Sequence, residues 1–300
     1  MKKLLLPALV LMFLNAASQQ TLQERLGYSK NAKLLIIHAD DLGVAHLQNS
    51  ASFNALEKGS VSSASIMVPC PWFSEVTAYA ASHPGVDFGI HLTFTAEWNF
   101  YKWGPVAGKH DVPNLFNKNG YFFSSVDSVL KSSNANEIEK EIRAQIEKAK
   151  QAGIDITHLD SHMGTLYYNK DYLQVLLKLG KEYKIPVMLS KQRTMIDLGD
   201  SSVLLNNIYV ESPADYAKGA NNYYTNILQS LQPGVSLIIL HAAYDDSEMQ
   251  AVTAQHPDYG AAWRQADYNF FTSEACKKLL QQNDIHVITW KEIRDKIIRK

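Results

Sequence analysis

The chain has 300 residues, 46% hydrophobic and 20% charged, an ordinary globular composition with enough apolar material for one large α/β domain or two small ones. The formal net charge is −1 and no basic stripe is present, which excludes a nucleic-acid partner. The two cysteines, Cys70 and Cys276, lie too far apart in the chain to form a disulfide framework, so the expectation is two small buried apolar residues.

The N-terminus reads Met1-Lys2-Lys3, an apolar run from Leu4 to Leu14, then Asn15-Ala16-Ala17-Ser18. A basic start, a short apolar stretch and small residues before a cut form an export signal, with cleavage expected before Gln19. The run is too short to span a bilayer as a helix, so no stable membrane insertion is expected. Residues 1–18 are therefore taken as a leader. The folded domain is expected over residues 22–300, in an exported, periplasmic or secreted protein.

After the leader, strand-like and helix-like segments alternate. Lys33–His38 is predicted as a strand and His46–Lys58 as an amphipathic helix closed by Gly59. Val61–Val68 is a strand, Phe73–Ser82 a helix and Val86–Thr95 a third strand. Ser132–Ala152 is a long, polar-faced helix. Ile154–Asp160 is a strand, Asp171–Tyr183 a helix, and Ile185–Leu189 and Ile208–Val210 are short strands. Ala214–Leu231 is a helix, Val235–Leu240 a strand, Ser273–Gln282 a helix, Ile285–Thr289 a last strand and Lys291–Ile298 a last helix. Seven or eight parallel strands, each feeding a helix, predict a single-domain α/β fold of (β/α) barrel type.

One interval breaks the pattern. Between Thr95 and Ser132 no periodicity holds, yet the segment carries Trp98, Phe100, Tyr101, Trp103, Phe116, Tyr121, Phe122 and Phe123. Disordered segments are poor in aromatics, so an ordered insertion loop is expected, overhanging the C-terminal end of its strand. Trp98, Tyr101 and Trp103 then either line a sugar site or pack as a small core beneath the loop.

The chemistry-bearing residues gather where predicted strands run out. Asp40 and Asp41 follow the apolar run Leu34–Ile37; His91 ends the third strand, His162 follows Thr157-His158-Leu159-Asp160, and His241 follows Leu240. Barrel chemistry sits at these C-terminal strand ends. Adjacent carboxylates repel unless a cation or proton intervenes, and imidazoles converging with a carboxylate make a His₂Asp metal site. His158 and His162 would lie about 13 Å apart along an extended strand. His162 is the better ligand, and His158 a core or supporting histidine. Adjacent residues of an extended strand point to opposite faces. One aspartate is then free to bind the ion while the other serves as a base. Further on, Arg264 and Asp267 are spaced to share a helix face. They form either a surface pair or a pair that orients the catalytic Asp and His.

With these residues in view, the chain resembles the YdjC-like carbohydrate deacetylase family, related to the polysaccharide deacetylases. The matching stretches are Ala39-Asp40-Asp41-Leu42-Gly43, Asn49, Glu57-Lys58-Gly59, Gly89-Ile90-His91-Leu92-Thr93, His158-Leu159-Asp160-Ser161-His162, Leu240-His241 and Arg264-Gln265-Ala266-Asp267, in family order over nearly the whole chain. The resemblance implies a distorted barrel with one divalent ion, Mg²⁺ or Zn²⁺, held by Asp41, His91 and His162. It implies Asp40 as general base and His241 as acid or transition-state stabiliser, in the removal of an acetyl group from an acetylated amino sugar or glycan fragment. The chain departs from the family pattern at Met163-Gly164-Thr165, at Ala242 and at Ser190-Lys191, positions that bear on the sugar and not on the ion. Two other readings fit the same residues: a different metal-dependent glycan hydrolase, and a non-catalytic glycan-binding protein.

Overall fold

The computed structural model describes residues 20–191 and 203–300. The expected leader and the segment after Lys191 lie outside them. Seven strands form one sheet: β1 (Lys33–Leu42), β2 (Ser63–Ile66), β3 (Phe88–Leu92), β4 (Ile156–Ser161), β5 (Asn207–Val210), β6 (Gly234–Leu240) and β7 (Ile285–Val287). Their order is β4-β3-β2-β1-β6-β5, with β7 beside β1, and every pairing is parallel. β1 is central because Leu34–Ile37 are apolar on both faces, as a strand covered on both sides must be. Its first residues pair with β7 and its last with β2, so one edge of β1 serves two neighbours in turn.

The sheet curls far enough to close through isolated bridges. Leu159 pairs with Val187 and Ser190 with Leu205, which places the segment around 186–190 between β4 and the β5 side. The expected short strand at Ile185–Leu189 thus exists as these bridges. The result is the expected single-domain, distorted (β/α) barrel. Among the described residues no helix is long and apolar enough to cross a membrane. Cys70 and Cys276 are free and buried.

Several helices differ from the sequence reading. The expected helix over Ala214–Leu231 is two, Pro213–Tyr216 and Ala220–Ser230, because Gly219 between them takes a left-handed conformation (φ 102°). Ala261–Phe271 is a full helix. It was legible only as a pair of charges because Arg264 and Asp267 lie on its buried face, beside Trp263, Phe270 and Phe271. That arrangement breaks the usual apolar stripe.

The insertion after β3 is ordered by buried polar side chains. It contains a short 3₁₀ turn, Pro113–Leu115, and ends in helix Val126–Ser132. Trp98, Trp103, Val112, Leu115 and Phe122 are buried and form its core. The helix Ala135–Gln151 turns Glu137, Glu141 and Gln145 toward the insertion, at helical i,i+4 spacing. Glu141 accepts from the Val106 and Ala107 N–H groups at 2.9 Å each, and Glu137 from the Asn114 N–H at 2.9 Å. Loop amides that no strand satisfies are satisfied by these carboxylates. Of the two roles expected for Tyr101 and Trp103, their contacts are those of packing beneath the loop. The Trp103 indole donates to the Thr95 carbonyl (2.8 Å) and the Tyr101 hydroxyl to the Val44 carbonyl (2.7 Å), and neither lines the cavity at the strand ends. Both belong to the core under the loop. Trp98 does reach the cavity.

Candidate active site

β1 does not stay extended to its end. Asp41 has a positive φ of 68°, and the pairing with β2 slips between Ala39 and Leu42. A left-handed non-glycine residue is strained, and such strain survives where the surroundings over-determine it. Asn49 supplies part of that constraint, its Oδ1 accepting from the Gly43 N–H at 2.7 Å. The kink overturns the expectation that Asp40 and Asp41 face apart. Both carboxylates converge on one imidazole: Asp40 Oδ2 lies 3.7 Å and Asp41 Oδ1 3.5 Å from His91 Nε2.

Each carboxylate has its own buried cation, which is how the pair avoids mutual repulsion. The Arg264 guanidinium donates to Asp41 Oδ2 at 2.9 Å, to Gln48 Oε1 at 2.9 Å and to the Tyr259 carbonyl at 2.7 Å. Burial opposes a charge on Asp41, but Arg264 and His162 beside it hold its carboxyl well below the usual range. His38 Nε2 lies 2.8 Å from Asp40 Oδ1 and 3.1 Å from Asp160 Oδ2. Burial disfavours a charged His38, yet Asp40 and Asp160 raise its pKa to about 9, so it is a cation at neutral pH.

Three donor atoms meet above these supports. His91 Nε2, His162 Nδ1 and Asp41 Oδ1 are separated by 3.2, 3.3 and 3.5 Å. The far nitrogen of each ring is engaged by a carboxylate: His91 Nδ1 with Asp160 Oδ1 at 2.7 Å, and His162 Nε2 with Glu97 Oε2 at 3.0 Å. Those carboxylates can only accept, so they hold a ring proton on each far nitrogen and leave the near nitrogens facing Asp41 as the ones a metal ion would take. Asp41 Oδ1 is buried with no hydrogen-bond partner. Burial disfavours a charged His162, yet Glu97 and Asp41 raise its pKa to about 10, so positive charge belongs among these three atoms, as a ring proton or as one metal ion. Ligands bound at 2.0–2.2 Å would be spaced roughly 3.0–3.4 Å apart, close to the distances found. The residues present therefore fit a divalent ion held by Asp41, His91 and His162.

Asp160 and Glu97 escaped the sequence reading. Asp160 lies in a quoted stretch and shares the inward face of its strand with His158, while Glu97 is the only acidic residue between Thr93 and His110. Their roles as carboxylates behind histidines predict that Asp160→Asn, and likewise Glu97→Gln, weakens divalent-ion affinity by about 10–100-fold. Calorimetric titration of the purified variants checks this, and unchanged affinity would refute the assignment.

His158 lies one layer deeper. It stacks on Trp290 with ring centroids 5.2 Å apart, and a side chain on Gly89 would come within 2.3 Å of its ring. His241 stands at the cavity wall beyond β6, and burial pushes its pKa down to about 4, leaving it neutral. Asp267 lies behind it and accepts from the His241 main-chain N–H at 2.8 Å and from the Tyr224 hydroxyl at 2.7 Å. Arg264 and Asp267 are thus buried supports of Asp41 and His241, not a surface pair, and Asp267 does not line the cavity. The cavity itself, about 510 Å³, opens over these groups and is walled by Trp98, Met163, Tyr168, Met188 and Tyr259 among others.

A curled parallel sheet bearing a buried Asp-His-His cluster at its C-terminal strand ends, with a roomy cavity above, defines a (β/α)-barrel protein with a metal-type centre. The sequence signature of the YdjC-like protein family matches residues 34–282, and the chain belongs to that family. A carbohydrate deacetylase of Thermus thermophilus is 28% identical over 91% of this chain and 98% of the relative. One from Thermoanaerobacter pseudethanolicus is 28% identical over 84% of this chain and 96% of the relative. A crystal structure from Enterococcus faecalis, provisionally described as a cellobiose-phosphate cleavage protein, superposes with a TM-score of 0.75 at 24% identity. It covers 87% of this chain and 99% of that one, and shows the same fold.

Proposed function

We propose that the protein removes acetyl groups from an acetylated sugar, as a hydrolase dependent on a divalent ion held by Asp41, His91 and His162. The observation that carries this reading is the orphaned Asp41 Oδ1 facing two imidazole nitrogens, with Asp40 alongside. Carbohydrate deacetylases similar over most of this chain support the substrate class. A bound divalent ion supplies a Lewis acid that polarises the acetyl carbonyl and acidifies a water.

The remaining steps fall to the chain's own groups. Asp40 Oδ1 is fixed by His38 and by the Ser65 hydroxyl at 3.1 Å, which leaves Oδ2 turned toward the centre. There Asp40 takes the proton of the attacking water as its oxygen bonds to the acetyl carbon. The same carboxyl returns that proton to the leaving nitrogen as the C–N bond breaks, giving acetate and a free amine. His241 is neutral, so it serves as a hydrogen-bond donor to developing charge. Asp267 keeps its main chain in place. The composition of residues 1–18 supports action outside the cytoplasm.

One preparation tests the reading. Protein recovered from the exterior of producing cells should begin at Gln19. It should release acetate from acetylated saccharides, lose that activity to a chelator and regain it with Zn²⁺ or Mg²⁺. Full activity after exhaustive chelation would refute the dependence on an ion.

A further inference from the structure

Besides the histidines, the aromatic rings lining the cavity are Trp98, Tyr167, Tyr168 and Tyr259. Three of them are already engaged. Trp98 is buried and meets Trp103 edge-on, with centroids 5.6 Å apart. The Tyr167 hydroxyl donates to the Met188 carbonyl at 2.9 Å. Tyr259 stacks on Trp263 with centroids 4.4 Å apart, and its hydroxyl donates to the Glu211 carbonyl at 2.9 Å. Tyr168 differs. It is 66% exposed, and among the described residues neither its hydroxyl nor its ring has a hydrogen-bond or ring partner.

A scattered exposed tyrosine is ordinary. This one stands on the wall of the cavity, at the end of the turn that begins with His162. Met163 and Gly164 follow that histidine, both left-handed, with φ of 50° and 64°. Methionine is strained there, and strain of this kind gathers at ligand clamps. The turn is pinned on both sides. The Thr95 hydroxyl donates to the Met163 sulfur at 3.3 Å, and the Thr165 hydroxyl to the His162 carbonyl at 3.0 Å. Gly164 lies against the ring: a Cβ added to it would stand 3.4 Å from Tyr168 Cε2 and 3.6 Å from Tyr167 Cδ2. One edge of the Tyr168 ring is thus backed by the turn, while most of the ring stays open.

The placement suits a neighbour of the reacting group. At about 2 Å of rise per residue in a 3₁₀ turn, Tyr168 lies roughly 12 Å along the chain from His162. Met163, itself 45% exposed, stands between them as an uncharged lip. The cavity is continuous from Asp41, His91 and His162 to Tyr168, so one molecule can occupy both ends. A sugar ring presents a face of C–H groups, and an open aromatic ring takes that face out of water while the hydroxyls at the sugar's edge remain solvated.

Resting on the deacetylase reading above, we propose that Tyr168 is a stacking platform for the sugar unit next to the acetylated one at the ion, which makes a saccharide of two or more units the preferred substrate. The ring, not the hydroxyl, carries the contact. Tyr168 is therefore a specificity-determining residue that touches the substrate away from the reacting atoms.

The test uses zinc-loaded full-length protein with two probes, N-acetylglucosamine and N,N′-diacetylchitobiose, read by calorimetric binding and by acetate release. Wild type should bind the disaccharide at least about tenfold more tightly than the monosaccharide. Tyr168→Ala should collapse that ratio toward one, raising KM for the disaccharide by about tenfold with kcat changed far less. Tyr168→Phe should keep the ratio within about twofold of wild type, because the ring face is retained. Since the side chain is largely exposed, Tyr168→Ala should melt within about 2 °C of wild type. Equal binding of the two probes by wild type, no binding of either, an unchanged ratio in Tyr168→Ala, or loss of the ratio in Tyr168→Phe overturns the inference. So does a larger fall in melting temperature with affinity for both probes reduced alike, the mark of a structural role. Disaccharide binding that depends on Tyr168 without acetate release would instead refute the reaction and leave the platform standing.

Discussion

Asp40→Asn should leave a folded, ion-binding protein whose kcat has fallen by roughly 10²–10⁴-fold, the usual contribution of a positioned general base. The asparagine keeps the shape of the side chain and removes its ability to take a proton. Ion affinity should change little, since Asp40 stands beside the donor triangle of Asp41, His91 and His162 and is not one of its corners. Acetate release at saturating substrate, with ion binding titrated in parallel, separates the two effects. A kcat within tenfold of wild type would remove Asp40 from the proposed mechanism. Loss of ion binding would mean that Asp40, not only Asp41, is a ligand.

The second large effect is expected at Asp41. Asp41→Asn should abolish tight divalent-ion binding and also destabilise the protein itself. The side chains of Asp41 and Arg264 are each only 3% exposed, and their contact is 2.9 Å long. Removing the carboxylate leaves a buried guanidinium without its counter-charge, at a cost of about 3 kcal/mol, which lowers Tm by roughly 6–12 °C. Gln48 and the Tyr259 carbonyl still receive two of the donors of Arg264, which keeps the loss near the lower end for a broken buried pair. Acid unfolding gives an independent readout. The folded carboxyl sits well below its ordinary value, so it stabilises the fold above about pH 4, the unfolded pKa, and that share is lost as pH falls below it. Asp41→Asn should lack this component, and its stability should vary less between pH 5 and pH 2 than that of wild type. An unchanged thermal midpoint would contradict the proposed pairing.

The barrel could be read from the chain because its strands are buried on both faces. Leu34–Ile37 and Leu237–Leu240 are continuous apolar runs of the kind a covered parallel sheet accommodates. The helix Ala261–Phe271 could not, since its buried face carries Arg264 and Asp267, and their reason for being buried lies more than 20 residues away in Asp41 and His241. Glu97 and Asp160 were hidden for the same reason. Each acts through a histidine from another segment, and no local period connects them. Most of the aromatics of the insertion were visible as a group, but their direction was not. Trp103 and Tyr101 spend their polar atoms on carbonyls beneath the loop, and Trp98 alone of the three reaches the cavity.

By itself the sequence determined where the reactive groups would gather, because the strands of a parallel barrel all end at one rim and Asp40, Asp41, His91, His162 and His241 all stand late in a predicted strand or just past it. The tertiary structure decided what separates the two aspartates. Alternation along an extended strand does not do so, since the left-handed turn at Asp41 aims both carboxylates at His91. Their different settings come from two distant cations, His38 beneath Asp40 and Arg264 beside Asp41. A carboxylate's chemistry depends on the charge within a few ångströms of it, and only folding brings those charges near.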